Sequence, residues 1–116
     1  FIVAEVAGEL AGYIMCRIET GLPDFGLLGI TKRGHVISIA VLPEYQRKGI
    51  GEALIRQAMV AMRQYKAKDC YLEVRISNAP AISMYKKLDF ETTRTVHGYY
   101  ADGEDAAIMT RKLPAQ

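Results

Sequence analysis

Cysteine is scarce in this chain, with only Cys16 and Cys70 among its 116 residues. The two lie far apart and form no Cys-x-x-Cys pair, which argues against a zinc site and against a disulfide scaffold. Isolated thiols are typical of a reducing compartment, so we predict a cytoplasmic protein. No apolar run approaches the roughly 18 residues of a membrane span, and we therefore expect no membrane association.

A strong excess of either charge is also missing. The chain has 15 Lys and Arg against 13 Asp and Glu, a formal net charge of +2. The basic residues are dispersed, apart from short pairs such as Arg47-Lys48, so we expect no nucleic-acid partner. Hydrophobic residues make up 50% of the chain, enough for a core. The length predicts a single domain over residues 1–116, and because Phe1 already falls inside a strand pattern we expect that domain to be N-terminally incomplete.

The remaining patterns predict a mixed α/β domain. Alternating stretches rich in β-branched residues indicate strands, and apolar residues at helical spacing indicate helices. A helix between strands 35–42 and 70–75 makes a βαβ unit, whose strands should run parallel. Four glycines between residues 19 and 34 indicate a loop there. The predicted strands are 1–6, 10–18, 35–42, 70–75, 90–97 and 106–113, and the predicted helices are 50–66 and a shorter one capped by Ser77 or Asn78 that buries Ile82, Tyr85 and Leu88.

The junction between strand 35–42 and helix 50–66 carries the most informative motif, Gln46-Arg47-Lys48-Gly49-Ile50-Gly51. Glycines let the backbone approach a ligand, and the first N–H groups of a helix have no internal partner. A phosphate can accept hydrogen bonds from those groups at the positive end of the helix dipole. Position 54 is Leu54 rather than the third glycine of a dinucleotide fingerprint, and no Gly-Lys-Ser/Thr of a nucleoside triphosphate loop occurs. The alternative is a glycine-rich turn with solvated basic residues.

The pattern Q-x-x-G-x-G resembles the acetyl-CoA loop of the GNAT superfamily of N-acetyltransferases. The segment from Asn78 to Tyr85 resembles the family's N-x-x-A-x-x-x-Y helix. The segments 72–75 and 98–106 are similar to those of protein N-terminal acetyltransferase subunits, their archaeal relatives and the bacterial ribosomal-protein alanine acetyltransferases. The implied GNAT fold is a mixed, mostly antiparallel sheet with a central parallel splayed strand pair and flanking helices. The family's first strand and first two helices have no counterpart in this sequence.

The resemblance implies acetyl-CoA as cosubstrate, with its diphosphate held by the backbone at the start of the helix. The splayed strand would pair with the pantetheine arm, and Asn78 would bind the same arm. Lys86 and Lys87 would neutralise the 3′-phosphate, unless they are only the solvated face of a helix. The predicted cofactor-binding residues are Ile39, Ala40, Val41, Gln46, Arg47, Lys48, Gly49, Ile50, Gly51, Glu52, Asn78, Tyr85 and Lys87.

Glu73 is the predicted catalytic base. Its carboxylate falls in the middle of a predicted interior strand, where an unpaired charge is costly, and on the same face as Tyr71 and Arg75. If that face borders a cleft, Glu73 can order a water against the substrate amine. The matching glutamate of the bacterial relatives is assigned this role. The alternative is a structural ion pair between Glu73 and Arg75.

Tyr85 and His35 complete the predicted catalytic set. The resemblance places the Tyr85 hydroxyl near the cofactor sulfur, where it could protonate the departing thiolate; the alternative is a core tyrosine. His35 opens strand 35–42 and could relay a proton or line the amine channel, unless it is an ordinary residue at a strand end. If His35 faces Glu73, two ligands would still make a poor metal site, so we predict no required metal.

The loop 98–105 is predicted to bind substrate through Tyr99 and Tyr100, because in N-terminal acetyltransferases this loop clamps the first residues of the peptide through tyrosine hydroxyls. Glu104 and Asp105 could attract a cationic amine or could simply be solvated. The predicted function is acetyl transfer from acetyl-CoA to protein or peptide N-termini, with an auxiliary subunit or the ribosome as further partners. The alternatives are a GNAT enzyme for a small amine or lysine side chain, and a non-catalytic acyl-CoA-binding module.

Overall fold

The computed structural model describes residues 1–21 and 31–114, and its elements follow the predicted order of strands and helices. Neither α-helix in this part of the chain is long and apolar enough to cross a membrane. The elements are β1 (Ile2–Val6), β2 (Glu9–Gly21), β3 (Thr31–Val41), a 3-10 turn (Pro43–Tyr45), α1 (Ile50–Gln64), β4 (Asp69–Arg75), α2 (Ala79–Lys87), β5 (Glu91–Val96) and β6 (Ala106–Lys112).

The strands form one sheet in the order β1-β2-β3-β4-β6-β5, in which β3 and β4 make the only parallel pair of the described strands. This confirms the parallel βαβ unit predicted from the sequence. The β3–β4 pairing covers only Arg33–Asp69, Gly34–Cys70 and His35–Tyr71. Beyond His35, β3 continues to Val41 and β4 to Arg75 without pairing to each other. The two central strands therefore diverge and open a cleft in the sheet.

Helix α1 forms because its apolar residues fall on one stripe. Leu54, Ile55, Ala58, Met59 and Met62 are all buried, and the helix packs on β1, β2 and β3. Burying a leucine, isoleucine or methionine side chain stabilises a fold by about 1.5–3 kcal/mol. The helix ends at Gln64, two residues before the predicted end.

The prediction of a loop over 19–34 was wrong at both ends. Glu19–Gly21 belongs to β2 and residues 31–34 belong to β3, with ladder pairs running to Gly21–Thr31. Glycine content indicated a turn, but Gly34 instead provides space: a Cβ there would lie 2.2 Å from the Met62 sulfur. The central part of the predicted loop, residues 22–30, lies outside the described residues.

Gly12 provides a second close approach, and its replacement tests the packing of β2 on β3. A Cβ at Gly12 would lie 2.6 Å from the Ala40 backbone oxygen, which cannot move without displacing β3. We expect Gly12→Ala to lower the free energy of unfolding by about 1–3 kcal/mol, measured by urea denaturation. Gly21→Ala is the matched control, because a Cβ there meets only Arg33 Cδ at 3.7 Å. Equal midpoints for the two variants would contradict this account.

Candidate active site

The divergence of β3 and β4 creates a cavity of about 380 Å³ between the two strands. Its walls come from the unpaired parts of both strands, from α2 and from the loop before β6. The loop contributes Tyr100, and β4 contributes Glu73 and Arg75. Glu73, a charged residue of an interior strand, thus lines an open cleft. This is the condition that the sequence analysis set for its role as a catalytic base.

A larger cavity, of about 680 Å³, lies at the N-terminal end of α1. It is lined by the end of β3, by the glycine-bearing turn and by one side of α2. The two cavities share four lining residues, so they adjoin along α2 and β3. The shared residues are Ile39, Asn78, Ala81 and Tyr85.

The glycine-bearing turn exposes backbone amides to the larger cavity. Gly49 caps α1 in the left-handed conformation with φ of 80°, and Arg47 also has a positive φ of 62°. The first helical hydrogen bond runs from the Ala53 N–H to the Gly49 carbonyl at 3.0 Å, so the preceding amides of the helix have no helical acceptor. The Gln46 side chain donates to the Val41 carbonyl at 2.9 Å and ties the turn to the end of β3. This arrangement can bind an anion.

Most of the predicted cofactor-binding residues line this larger cavity. Lys48 is not among its described lining residues, and its ammonium lies 5.8 Å from the centroid of the Tyr45 ring. Glu52 lines the cavity, and its carboxylate accepts hydrogen bonds from Lys87 at 3.1 Å and Arg56 at 3.0 Å. These contacts hold the Lys87 ammonium at the rim. The lining residues that match the prediction are Ile39, Ala40, Val41, Gln46, Arg47, Gly49, Ile50, Gly51, Glu52, Asn78, Tyr85 and Lys87.

Asn78 has a structural role that is visible directly. Its side-chain oxygen accepts a hydrogen bond from the Ala81 N–H at 3.3 Å and caps α2, and Pro80 follows in the first turn. Asn78 also lines both cavities. The capping role predicted for this residue is confirmed, and its position is compatible with the ligand contact predicted from the motif.

On the wall of the cleft, Glu73 faces His35 across the short parallel pair. The Nε2 atom of His35 lies 2.8 Å from Oε1 and 3.0 Å from Oε2 of Glu73. The alternative ion pair with Arg75 does not form, because the Arg75 guanidinium donates to Asp102 at 2.8 Å and to Glu104 at 2.9 Å. Glu73 and His35 are each about one-sixth exposed or less, with side-chain exposures of 17% and 13%.

A second carboxylate, Glu19, lies on the other side of the His35 ring. Its Oε2 atom is 2.9 Å from Nδ1 of His35 and also accepts from Arg17, while its Oε1 atom accepts from the Tyr71 hydroxyl. Burial opposes ionisation of Glu19, but hydrogen bonds from Tyr71, His35 and Arg17 outweigh it and lower the Glu19 pKa to about 2. Burial and the hydrogen bond to Glu19 raise the pKa of the Tyr71 hydroxyl.

The sequence interpretation missed Glu19, since it assigned this residue to a loop. The alternation of strand 70–75 did place Tyr71 on the face of Glu73, and that signal was available. Tyr71 stacks on the His35 ring with centroids 4.2 Å apart, and the Arg33 guanidinium lies 4.2 Å above the Tyr71 ring. Arg33 is fixed by its ion pair with the buried Asp69 at 2.9 Å. The His35 ring is therefore held in one plane by Tyr71, whose own ring contacts an arginine fixed by the buried Asp69.

Tyr85 lies where the two cavities meet. It is only 5% exposed, and its ring packs against Phe90 with centroids 5.8 Å apart, which confirms its place on the buried stripe of α2. Burial, followed by the nearby Cys70 and Tyr100, raises the Tyr85 pKa to about 12. The hydroxyl therefore keeps its proton at neutral pH and can donate it to an anion that forms beside it.

The loop between β5 and β6 is built by its own acidic residues. Asp105 accepts from the Gly98 N–H at 2.8 Å and from His97 at 2.9 Å, and Glu104 accepts from the Ser77 N–H at 3.0 Å. Asp105 thus stabilises the loop internally, and Glu104 ties the loop to the turn before α2. The sequence analysis did not consider either role. The loop presents Tyr99 and Tyr100 edge to face, with ring centroids 5.0 Å apart.

Tyr100 lines the cleft and lies under the Arg75 guanidinium at 4.0 Å, whereas Tyr99 is 49% exposed. The negative charge of Glu73 is the largest cause of a raised Tyr99 pKa, so the Tyr99 hydroxyl lies within the field of that carboxylate. Within residues 1–21 and 31–114, no three His, Cys, Asp or Glu side chains are grouped to hold a metal ion.

A mixed sheet with a splayed parallel pair, and an anion-binding helix start beside it, define a class of acyl-transfer proteins. Residues 1–90 match the model of the Acetyltransferase (GNAT) family. The chain belongs to this family, and it is therefore an acyltransferase domain.

The relatives give a finer description. The chain is 54% identical over 115 residues to an N-alpha-acetyltransferase of Sulfurisphaera tokodaii, covering 97% of this chain and 69% of the relative. A crystal structure of Chaetomium thermophilum Naa20 in complex with a bisubstrate analogue is similar with a TM-score of 0.84 and 33% identity, over 96% of this chain and 64% of that chain. The crystal structure of Ard1 from Thermoplasma volcanium is similar with a TM-score of 0.81 and 28% identity, over 97% of this chain and 69% of that chain. The chain thus spans about two thirds of the length of these relatives.

Proposed function

We propose that this domain transfers the acetyl group of acetyl-CoA to the N-terminal α-amine of a protein or peptide. The observation that carries the proposal is the junction of the two cavities at Tyr85, which connects an anion-binding helix start to the cleft wall that carries Glu73. His35 contacts Glu73 from β3 at 2.8 Å. The name of the Sulfurisphaera tokodaii relative and the bisubstrate analogue bound by Naa20 support the same reaction.

The larger cavity suits acetyl-CoA. The free amides at the start of α1 and the Arg47 side chain supply donors and positive charge for a diphosphate. The edge of β3 from Ile39 to Val41 pairs with β2 on one side but not with β4 on the other, so its remaining peptide groups can bond the amides of the pantetheine arm. Lys87 lines the same cavity and supplies a positive charge that would meet the 3′-phosphate.

The chemistry of the cleft suits an α-amine. Deprotonating a terminal amine with a pKa of about 7.7–8.0 at pH 7 costs about 1 kcal/mol, whereas a lysine near 10.4 costs about 4.5 kcal/mol. A carboxylate in a half-buried cleft is a base of sufficient strength for the first task. Glu73 takes the amine proton directly or through a water, Tyr85 protonates the thiolate that leaves, and Tyr99 and Tyr100 contact the peptide backbone.

The deciding experiment incubates the chain with acetyl-CoA and peptides that vary in their first two residues, together with N-blocked peptides that contain lysine. Mass spectrometry then locates the acetyl group. We expect label on the free α-amine alone. Label on lysine alone would assign the domain to side-chain acetylation, and tight acetyl-CoA binding without label on any peptide would indicate a binding module.

Replacing Gly51 tests the proposed diphosphate site. A Cβ at Gly51 meets nothing closer than Met84 Sδ at 3.5 Å, so Gly51→Ala should fold normally. The added methyl group would occupy space beside the amides of the helix start, and we expect the KM for acetyl-CoA to rise about 10-fold, which corresponds to about 1.4 kcal/mol. Gly21→Ala, outside both cavities, is the control for steady-state kinetics. An unchanged KM in Gly51→Ala would place the diphosphate elsewhere.

A further inference from the structure

The His35 ring is bracketed by two carboxylates that come from different strands. Nδ1 lies 2.9 Å from Glu19 on β2, and Nε2 lies 2.8 Å from Glu73 on β4. Only Glu73 lines the cleft between β3 and β4; Glu19 lies behind the ring and does not line it. The two carboxylates therefore have different access to a substrate.

We propose that Glu19 is a positioning residue for acetyl transfer, which keeps a proton on Nδ1 of His35 and reserves Nε2 for a mobile proton shared with Glu73. This rests on the proposed function, since the mobile proton is the one that leaves the substrate amine. The Glu19 carboxylate never touches the substrate and acts through the imidazole.

The hydrogen-bonding chemistry of the ring leads to this assignment. A neutral imidazole has one N–H and one lone pair, and an ionised carboxylate can only accept. Glu19 stays ionised because Tyr71 and Arg17 both donate to it, so the ring nitrogen that faces it must carry hydrogen. The neutral ring consequently presents its lone pair at Nε2, the nitrogen that faces Glu73.

The groups around the ring keep it from turning over. Tyr71 from β4 lies nearly parallel to the imidazole, at 12° and 4.2 Å, and its hydroxyl bonds to the carboxylate behind the ring. The guanidinium of Arg33, on the same strand as His35, lies 4.2 Å from the centroid of the Tyr71 ring. Arg17 from β2 binds Glu19 at 2.6 Å from the exposed side. Rotating the ring would break the contacts to both carboxylates.

The proton balance of the reaction follows from this arrangement. A separation of 2.8 Å between Nε2 and Glu73 is that of a hydrogen bond, which requires one proton between them. This is the protonated state of the His35–Glu73 pair. Loss of that proton to water gives the base. As the C–N bond forms and the C–S bond breaks, the amine proton passes to Glu73 and Nε2, and Tyr85 gives its proton to the sulfur. Both groups then exchange protons with water.

The first test needs no substitution and no activity. Nitrogen-15 NMR of the full chain, labelled at histidine, reports which nitrogen of His35 carries hydrogen when the ring is neutral. We expect Nδ1–H. Hydrogen on Nε2 of the neutral ring would overturn the proposal. A ring that stays protonated on both nitrogens across the pH range of activity would also overturn it, because Nε2 would then have no lone pair with which to share a proton with Glu73.

The second test compares two substitutions of Glu19, one that removes its hydrogen-bond acceptor and its negative charge and one that removes only the charge. Glu19→Met keeps the length of the side chain but removes both, and we expect kcat to fall about 10- to 100-fold with the KM for acetyl-CoA unchanged and the preference for Nδ1–H lost. Glu19→Gln keeps an oxygen that can accept from Arg17 and Nδ1, so the preference should persist while kcat falls less. Glu91→Gln, exposed on β5, is the control for losing a carboxylate.

The outcomes distinguish this inference from the proposed function. If the unmodified chain acetylates no peptide, the proposed function fails, and the NMR result still decides the tautomer. If the unmodified chain is active and Glu19→Met retains its kcat, the proposed function stands and the role of Glu19 is wrong. Should Glu19→Met fail to fold, as judged by circular dichroism, the NMR of the unmodified chain and the kinetics of Glu19→Gln decide.

Discussion

Replacing Glu73 with glutamine is expected to lower kcat about 10- to 1000-fold and to leave the affinity for acetyl-CoA nearly unchanged. Glutamine has almost the same shape and can still accept a hydrogen bond, but it cannot take a proton. Glu73 lines the cleft and is not part of the cavity at the start of α1, so the acetyl-CoA site should be preserved. Stopped-flow kinetics with a peptide substrate and calorimetry with CoA measure the two quantities separately.

Glu91→Gln is the matched control for this substitution, because it removes a carboxylate from the exposed face of β5. Its kcat should equal that of the unmodified chain. Turnover by Glu73→Gln at the unmodified rate would remove Glu73 from the mechanism, and the proton would then have to leave through another group. A loss of acetyl-CoA affinity in parallel with kcat would instead mean that Glu73 maintains the shape of the cleft.

Replacing Tyr85 with phenylalanine should slow the chemical step about 10- to 100-fold. The ring would keep its packing on Phe90, and only the hydroxyl at the junction of the cavities would be lost. With a pKa of about 12, this hydroxyl is protonated throughout the neutral range, so the unmodified chain should not lose the acid as the pH rises from 7 to 9. Rapid-quench measurement of a single turnover isolates the step.

The matched control for Tyr85 is Tyr65→Phe, at the exposed C-terminal end of α1, where the side chain is 64% exposed. We expect it to behave as the unmodified chain does. If Tyr85→Phe shows the same single-turnover rate as this control, Tyr85 is a packing residue and a water must protonate the thiolate. Equal thermal stability of the two variants would show that the comparison concerns chemistry.

The parts of the fold that follow from local patterns were predictable from the sequence. Helix α1 with its buried stripe and the Asn78 cap have signals within about a dozen residues. The parallel orientation of β3 and β4 follows from the helix between them, a pattern that spans both strands and the helix. The extension of β2 and β3 into the predicted loop had none, because it depends on ladder pairs such as Glu19–Arg33 between distant positions. Gly34, which suggested a turn, is a close approach to Met62 instead.

The candidate site divides in the same way. The start of α1 is specified by a contiguous motif, and its first amides, which precede the Ala53 N–H, have no helical acceptor. The sequence could not establish that Glu73 and His35 face each other, because this depends on how far the pairing of β3 with β4 extends. Arg75 is drawn away from Glu73 by Asp102 and Glu104, which come from a loop that no local pattern connects to β4. Glu19 was missed because its importance arises from His35 and Tyr71, which reach it from β3 and β4.

The short pairing of β3 with β4 limits how this domain can gain heat resistance. Extending the ladder past His35 would satisfy more peptide groups and stiffen the sheet, but it would close the gap through which the reactants meet. Substitutions that raise the thermal stability are therefore expected on the outer strands, on the helix faces or at ion pairs such as Arg33–Asp69. The parts of β3 and β4 beyond His35 must stay unpaired.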